Sequence, residues 1–174
     1  MNAEDLQRMV RDIPDFPVRG ILFRDITTLL KDADAFKAAI DQLADRLRPY
    51  EAQKVVAIES RGFILGAPLA YLLGAGFVPV RKLGKLPAPT VSAEYALEYG
   101  TNSVEMHRDA IRPGERVIIV DDLLATGGTT RATIQLVQHL GGQVVALAYL
   151  IELTLLHARE QLDRFDIVTL IQYD

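Results

Sequence analysis

Val117-Ile118-Ile119-Val120-Asp121-Asp122-Leu123-Leu124-Ala125-Thr126-Gly127-Gly128-Thr129 opens with four β-branched apolar residues, continues through two acids and two leucines, and closes on a glycine-rich turn with two threonines. A short β-branched run of this kind suits a strand buried on both faces of a parallel sheet. That strand is expected at 116–120. From Thr129 to Leu140 the spacing of Ile134, Val137 and Leu140 predicts a helix, and Gly141-Gly142 terminates it. A further apolar run at 144–151 supplies the next strand.

Working outward, the same rhythm recurs. Val55-Val56-Ala57-Ile58 reads as a strand, 62–73 as a helix apolar nearly all round and closed by Gly74 and Gly76, and 77–81 as the following strand. Upstream, Asp34 is expected to cap a helix that places Phe36, Ile40, Leu43 and Leu47 on one face and ends before Pro49. Downstream, a short helix at 155–162 and a strand at 167–171 finish the chain. Strands alternating with helices predict an α/β fold with a doubly wound, mainly parallel sheet flanked by helices, and 1–174 as one domain.

Two segments break the rhythm. Residues 13–30 carry Pro14, Pro17 and Gly20 before the alternating Ile21-Leu22-Phe23-Arg24, and read as a loop with a short strand outside the main sheet. Residues 82–112 hold Gly84, Pro87, Pro89 and Gly100, with at most a hairpin of 91–96 and 104–107. A connection this long points to a functional lid or a linker.

Composition narrows the classes. With 49% apolar and 24% charged residues in 174, the chain has material for one sizeable core. No apolar run approaches the ~18 residues of a membrane span, and the acidic start, Met1-Asn2-Ala3-Glu4-Asp5, lacks the apolar core of a signal peptide. There is no cysteine, which removes disulfides, thiolate nucleophiles and Cys-bound zinc. A cytoplasmic protein without membrane contact is expected. The net charge of −4 provides no basic field for nucleic acid. His107, His139 and His157 lack ligand spacing.

In a doubly wound sheet, ligands bind beyond the carboxyl ends of the strands, where Asp121 and Asp122 are delivered. Gly127 and Gly128 let successive N–H groups converge at a helix start, while Thr126 and Thr129 add hydroxyl donors, so Ala125, Thr126, Gly127, Gly128 and Thr129 form a cup for a phosphate. Two carboxylates just before the cup would repel that phosphate but accept well from paired hydroxyls. A ribose 5-phosphate satisfies both demands. A purely structural strand-to-helix turn would show the same glycines, but not two acids at an apolar strand's end. The phosphate loop of kinases and the dinucleotide fingerprint are both missing.

The whole stretch 117–129 resembles the phosphoribosyl diphosphate motif of type I phosphoribosyltransferases, in the form used by the branch that takes adenine. Glu59-Ser60-Arg61-Gly62-Phe63, Arg81-Lys82-Leu83-Gly84-Lys85-Leu86-Pro87, Leu97-Glu98-Tyr99-Gly100, Phe23-Arg24-Asp25-Ile26 and Leu170-Ile171-Gln172-Tyr173 support it, in family order along essentially the whole chain. The resemblance implies transfer of phosphoribosyl from 5-phosphoribosyl 1-diphosphate to adenine, giving AMP and diphosphate.

It also implies roles. Asp121 and Asp122 would take the ribose hydroxyls above the cup. Ser60, Arg61 and Gly62 would form the diphosphate loop, with a cis peptide between Glu59 and Ser60, and Arg81, Lys82 and Lys85 a second cationic patch for the same anion. Residues 1–30 would form a hood in which the main chain of Leu22, Phe23 and Arg24 reads the base, with Phe23 and Leu123 stacking on it. From pattern alone, an amphipathic strand with Phe23 in a core fits too. Residues 82–112 would be the lid, with Tyr95 and Tyr99 on it. Glu98 and Arg61 are the candidate catalytic residues, Glu98 relaying the proton that adenine loses and Arg61 receiving the leaving diphosphate. Mg2+ is expected as cofactor, bound mainly by substrate oxygens and water rather than by a protein cage. Family members are commonly homodimers, and the helix at 63–73 is either that contact or an ordinary core helix. One departure stands out: Arg19 precedes Gly20 where the family has proline, which frees the turn and adds a charge near the pocket. A ligand-sensing regulator with the same fold, or an enzyme for xanthine, hypoxanthine or orotate, are the competing readings.

Overall fold

The computed structural model describes residues 1–97 and 100–174. In chain order the elements are α1 (Ala3–Met9), β1 (Arg11–Pro14), β2 (Leu22–Asp25), α2 (Thr27–Leu30), α3 (Ala33–Leu47), β3 (Lys54–Ile58), α4 (Arg61–Leu73), β4 (Gly76–Lys82), β5 (Thr90–Ala96), β6 (Thr101–His107), β7 (Arg116–Leu124), α5 (Gly128–His139), β8 (Gln143–Leu153), α6 (Ala158–Gln161) and β9 (Ile167–Tyr173).

Seven strands form the main sheet in the order β5-β6-β4-β3-β7-β8-β9. From β4 to β9 the pairing is parallel, whereas β6 runs antiparallel to both β4 and β5. Alternation within the strands explains the two layers. Val55, Ile118 and Val120 face a cluster that includes Leu43 and Leu47 of α3 and Leu65 and Leu69 of α4. Their sequence neighbours Val56, Val117 and Ile119 face a second cluster with Ile134 and Val137 of α5. Because both faces are covered, the strands read as unbroken apolar runs. This is the expected α/β, mostly parallel sheet flanked by helices.

Several boundaries move. α3 is capped by Asp32, whose side chain accepts from the N–H of Ala35, and Asp34 lies in the first turn instead. The strand expected to stop at Val120 continues through Asp121, Asp122, Leu123 and Leu124, because β8 pairs with it as far as Glu152. Asp121 and Asp122 are therefore in-strand residues, and the turn begins only at Ala125. The short helix expected at 155–162 is broken into a 3-10 turn, Thr154–Leu156, and α6, with His157 between them at φ 53°.

The segment 13–30 holds the expected short strand outside the main sheet, β2, and gives it a partner. β1 and β2 pair antiparallel as a small separate sheet, and Asp25 fastens its end. The Asp25 carboxylate accepts from the hydroxyl and N–H of Thr27 and from Arg11. With the Thr27 hydroxyl contributing most and Arg11 next, its pKa falls to about 2. Its contribution to stability is present above the ordinary value of 3.8 and is lost as pH falls through about 2.

In the segment 82–112 the expected hairpin is present, its strands pairing over 90–96 and 101–107. β5 and β6 form a hairpin added to the edge of the main sheet through β4. Val104, Met106 and Ile111 lie in the core at 3%, 0% and 4% exposure. Apolar anchors this deep cannot leave the sheet cheaply. Residues 104–111 thus belong to the body of the sheet.

Candidate active site

Two strand ends meet at the site. β3 delivers Glu59 and Ser60, joined by a cis peptide, and α4 starts at once with Arg61 and Gly62. Beside them runs β7 with Asp121 and Asp122. A Cβ on Gly62 would stand 3.0 Å from the Val120 carbonyl oxygen and 3.1 Å from Asp121 Oδ1. Only glycine lets the helix start lie this close to the acidic strand.

Between them opens a cleft of about 620 Å³ lined by Glu59, Ser60, Arg61, Lys82, Lys85, Asp121 and Asp122. Three cations, Arg61, Lys82 and Lys85, share it with three carboxylates, Glu59, Asp121 and Asp122. Arg61 Nε lies 2.6 Å from Asp122 Oδ2, and its guanidinium carbon is 5.3 Å from the centre of the Phe23 ring. Phe23 meets Phe16 edge-on at 5.1 Å. The expected base-stacking residue and the expected diphosphate donor are therefore neighbours. Asp121 Oδ1 accepts the N–H of Asp122 at 2.8 Å. Burial, followed by the like charge of Asp122, pushes the Asp121 carboxyl well above the usual carboxylate range.

Next to the cleft is a smaller hollow of about 80 Å³. Asp121, Leu123, Leu124, Ala125, Thr126, Gly127, Gly128, Thr129 and Thr130 line it. All five residues of the expected cup are here, at the start of α5, with Gly127 at φ +81° as the turn requires. Tyr95 comes up against it: a Cβ on Gly128 would be 3.7 Å from Tyr95 Cδ2. Leu123 packs partly buried against the sheet's core.

Some expected ligands are otherwise engaged. The Arg81 guanidinium donates to Glu59 Oε1 at 2.8 Å and to the Lys85 carbonyl at 3.3 Å, and Arg81 does not line the cleft. The Arg81 hydrogen bond holds the Glu59 carboxyl below the usual range. Arg81 thus braces the strand end, and Lys82 and Lys85 are the lysines facing the cleft. The Arg24 guanidinium pairs with Asp12 and lies 3.7 Å from the centre of the Tyr173 ring, leaving only its main chain for a base. The Leu22 side chain is exposed. Glu98 and Tyr99 lie outside the described residues.

Sequence reasoning missed three supporting contacts. Arg131 donates to the Thr126 carbonyl at 3.3 Å and to Gln161, bracing the cup from outside. Glu152, buried in the sheet beside Leu124, is gripped by Arg159 at 2.6 and 2.7 Å. Glu105, also buried, accepts from the loop that carries Lys85. An acid near the end of a long apolar strand was the available signal for Glu152.

The phosphoribosyl transferase domain family matches residues 27–172, which puts the chain in the phosphoribosyltransferase class. An adenine phosphoribosyltransferase of a Thermotoga species is 59% identical over 169 residues, covering 97% of this chain and 99% of that one. One from Halothermothrix orenii is 54% identical over 168 residues, with 97% and 99% covered. The crystal structure of the Thermoanaerobacter pseudethanolicus enzyme superposes with a TM-score of 0.96 at 56% identity, covering 99% of this chain and 100% of that one. A Saccharomyces cerevisiae adenine phosphoribosyltransferase, complexed with an imino-altritol bisphosphate and adenine, gives 0.92 at 38% identity with 97% of each chain covered. The chain belongs to the adenine phosphoribosyltransferase family.

Proposed function

We propose that the protein transfers the phosphoribosyl group of 5-phosphoribosyl 1-diphosphate to adenine, giving AMP and diphosphate in purine salvage. One observation carries the reading beyond family membership: Asp121 borders both the cup and the cationic cleft. A sugar seated at Asp121 and Asp122 has a phosphate site on one side and an anion site on the other. A ribose carrying a 5-phosphate and a 1-diphosphate has that order of groups.

In this reading the cup residues 125–129 hold the 5-phosphate by N–H and hydroxyl donors. Asp121 and Asp122 accept from the ribose hydroxyls. Ser60, Arg61, Lys82 and Lys85 receive the diphosphate as its bond to the ribose carbon breaks and adenine nitrogen bonds to that carbon. The carboxylates also face the positive charge that develops on the ribose in an oxocarbenium-like state. Phe23 and Leu123 flank the base, and the main chain of 22–24 reads its edge. Glu98 takes the proton that adenine loses. Water is kept out by the end of the β5–β6 hairpin, with Tyr95 against the cup.

Magnesium fits the donor set as a guest of the substrate. Three carboxylates, Glu59, Asp121 and Asp122, border the cleft, but among the described residues no group of three His, Cys, Asp or Glu is placed to hold a metal. Substrate oxygens and water would be its main ligands, with Asp121 and Asp122 touching it through water, and it would neutralise the diphosphate.

A homodimer is the proposed assembly, supported by exposed apolar residues on one side of the sheet: Ile64 and Tyr71 of α4 and Phe77 of β4, at 41%, 85% and 38% exposure. The cytoplasm is the proposed location, in keeping with a cysteine-free, acidic chain.

The test supplies phosphoribosyl diphosphate and magnesium with adenine, hypoxanthine, xanthine or orotate in turn. Diphosphate release with adenine alone is expected. Release with another base reassigns the substrate, and release with none of the four contradicts the enzymatic reading.

A further inference from the structure

β6 sends Val104 and Met106 into the apolar core, while Glu105 between them is only 3% exposed. Its carboxylate is fully occupied by a neighbouring turn. Oε1 accepts the N–H groups of Gly84, Lys85 and Leu86 at 3.1, 3.1 and 3.0 Å. Oε2 accepts the Thr90 hydroxyl at 3.2 Å. A buried carboxylate without donors would be costly, so four donors to one group mark a built arrangement.

The geometry has a direct consequence for the cleft. Three successive N–H groups can converge on one oxygen only if the backbone curls, and Gly84 at φ +84° provides the curl. Lys85 sits in that turn and Lys82 immediately before it, and both line the cleft. Two further hydrogen bonds to the turn are long, Lys85 N–H to the Lys82 carbonyl at 3.3 Å and Arg81 to the Lys85 carbonyl at 3.3 Å. The acceptor that organises the turn is Glu105, a residue that does not itself line the cleft.

We propose that Glu105 is a positioning residue for the diphosphate site, acting through residues 84–86 to hold Lys82 and Lys85 at the cleft; this rests on reading that cleft as the diphosphate site. A negative charge thereby helps to bind an anion. Glu105 gathers N–H dipoles on the far side of the turn and so fixes where the two ammonium groups stand. Because Glu105 belongs to β6, it also joins the hairpin to the cationic turn, so the two move as one piece.

The test is a mutant cycle read in steady-state kinetics. Glu105→Ala should raise KM for phosphoribosyl diphosphate roughly tenfold, the scale of one lost charge-assisted contact. KM for adenine should stay close to wild type. Glu105→Gln, which keeps one acceptor oxygen, should recover part of the loss. In a protein already carrying Lys82→Ala and Lys85→Ala, changing Glu105 should add little. An unchanged KM for phosphoribosyl diphosphate, or a loss fully additive with the lysine changes, overturns the proposal. Should Glu105→Ala not fold, Glu105→Gln carries the same cycle. If the wild type turns over no base at all, the diphosphate reading itself is in question, and calorimetric titration with magnesium diphosphate separates the two: weaker binding to Glu105→Gln than to wild type supports the positioning role, equal binding ends it.

Discussion

Arg61 and Asp122 hold each other within the cleft, Nε to Oδ2 at 2.6 Å, although they are proposed to grip different parts of one substrate. On that proposal substrate entry loosens the pair, exchanging it for a diphosphate on Arg61 and a hydroxyl on Asp122. Arg61→Ala should raise KM for phosphoribosyl diphosphate roughly ten- to a hundredfold, the range for lost hydrogen bonds to a charged group. It should also lower the melting temperature, since it strands the buried Asp122 carboxylate. Arg61→Lys should recover part of the stability and little of the KM, because an ammonium lacks the guanidinium fork. Steady-state kinetics and thermal melts on the two variants check this.

The raised pKa of Asp121 has a stability signature. Below the ordinary carboxylate value the group is protonated whether folded or unfolded and contributes nothing. Above it the unfolded chain ionises freely while the folded one resists, so stability is lost as pH rises through the folded pKa. Asp121→Asn removes that penalty and keeps an acceptor for the Asp122 N–H. The variant should melt higher than wild type at neutral pH, with a gap that closes as pH falls toward about 4. Melting curves across that range measure it; a gap that does not change with pH contradicts the assignment.

Close approach of α4 to the sheet sets another test. A Cβ on Gly66 would lie 2.5 Å from Ala57 Cβ, inside contact distance between two rigid elements. Gly66→Ala should destabilise the fold by about 1–3 kcal/mol, the usual cost of overpacking, visible in urea titration. Gly62→Ala meets backbone of β7 instead and should chiefly weaken substrate binding by pushing the Arg61 loop from Asp121.

Glu98 is proposed to relay a proton rather than to bind. Glu98→Gln should lower kcat by roughly a hundredfold or more, the scale of general acid–base catalysis, with both KM values little changed. Unchanged turnover would remove it from the mechanism.

What could be read from sequence follows burial. β3, β7 and β8 were visible because strands covered on both faces must be apolar along their length. The cup at 125–129 was legible because glycines and hydroxyls at a helix start are local chemistry. α1 was not anticipated: it is 7 residues long and buries only Leu6, too little apolar pattern to register, although Asn2 and Asp5 form its capping box. The pairing of Arg81 with Glu59 was not legible, because the two stand 22 positions apart and meet only once β3 and β4 align. Glu105 was passed over for the same reason, its three N–H donors lying 19 to 21 positions upstream. Local motifs announce ligands. Long-range polar contacts decide which charges remain free to meet them.

The proposed site is a two-ended clamp, with AMP phosphate in the cup and diphosphate in the cationic cleft. Isothermal titration of AMP and of magnesium diphosphate into wild type, Thr126→Ala/Thr129→Ala and Lys82→Ala/Lys85→Ala tests it most directly. The threonine pair should weaken AMP and spare diphosphate, and the lysine pair should do the reverse. Equal weakening of both ligands by either pair would contradict the account.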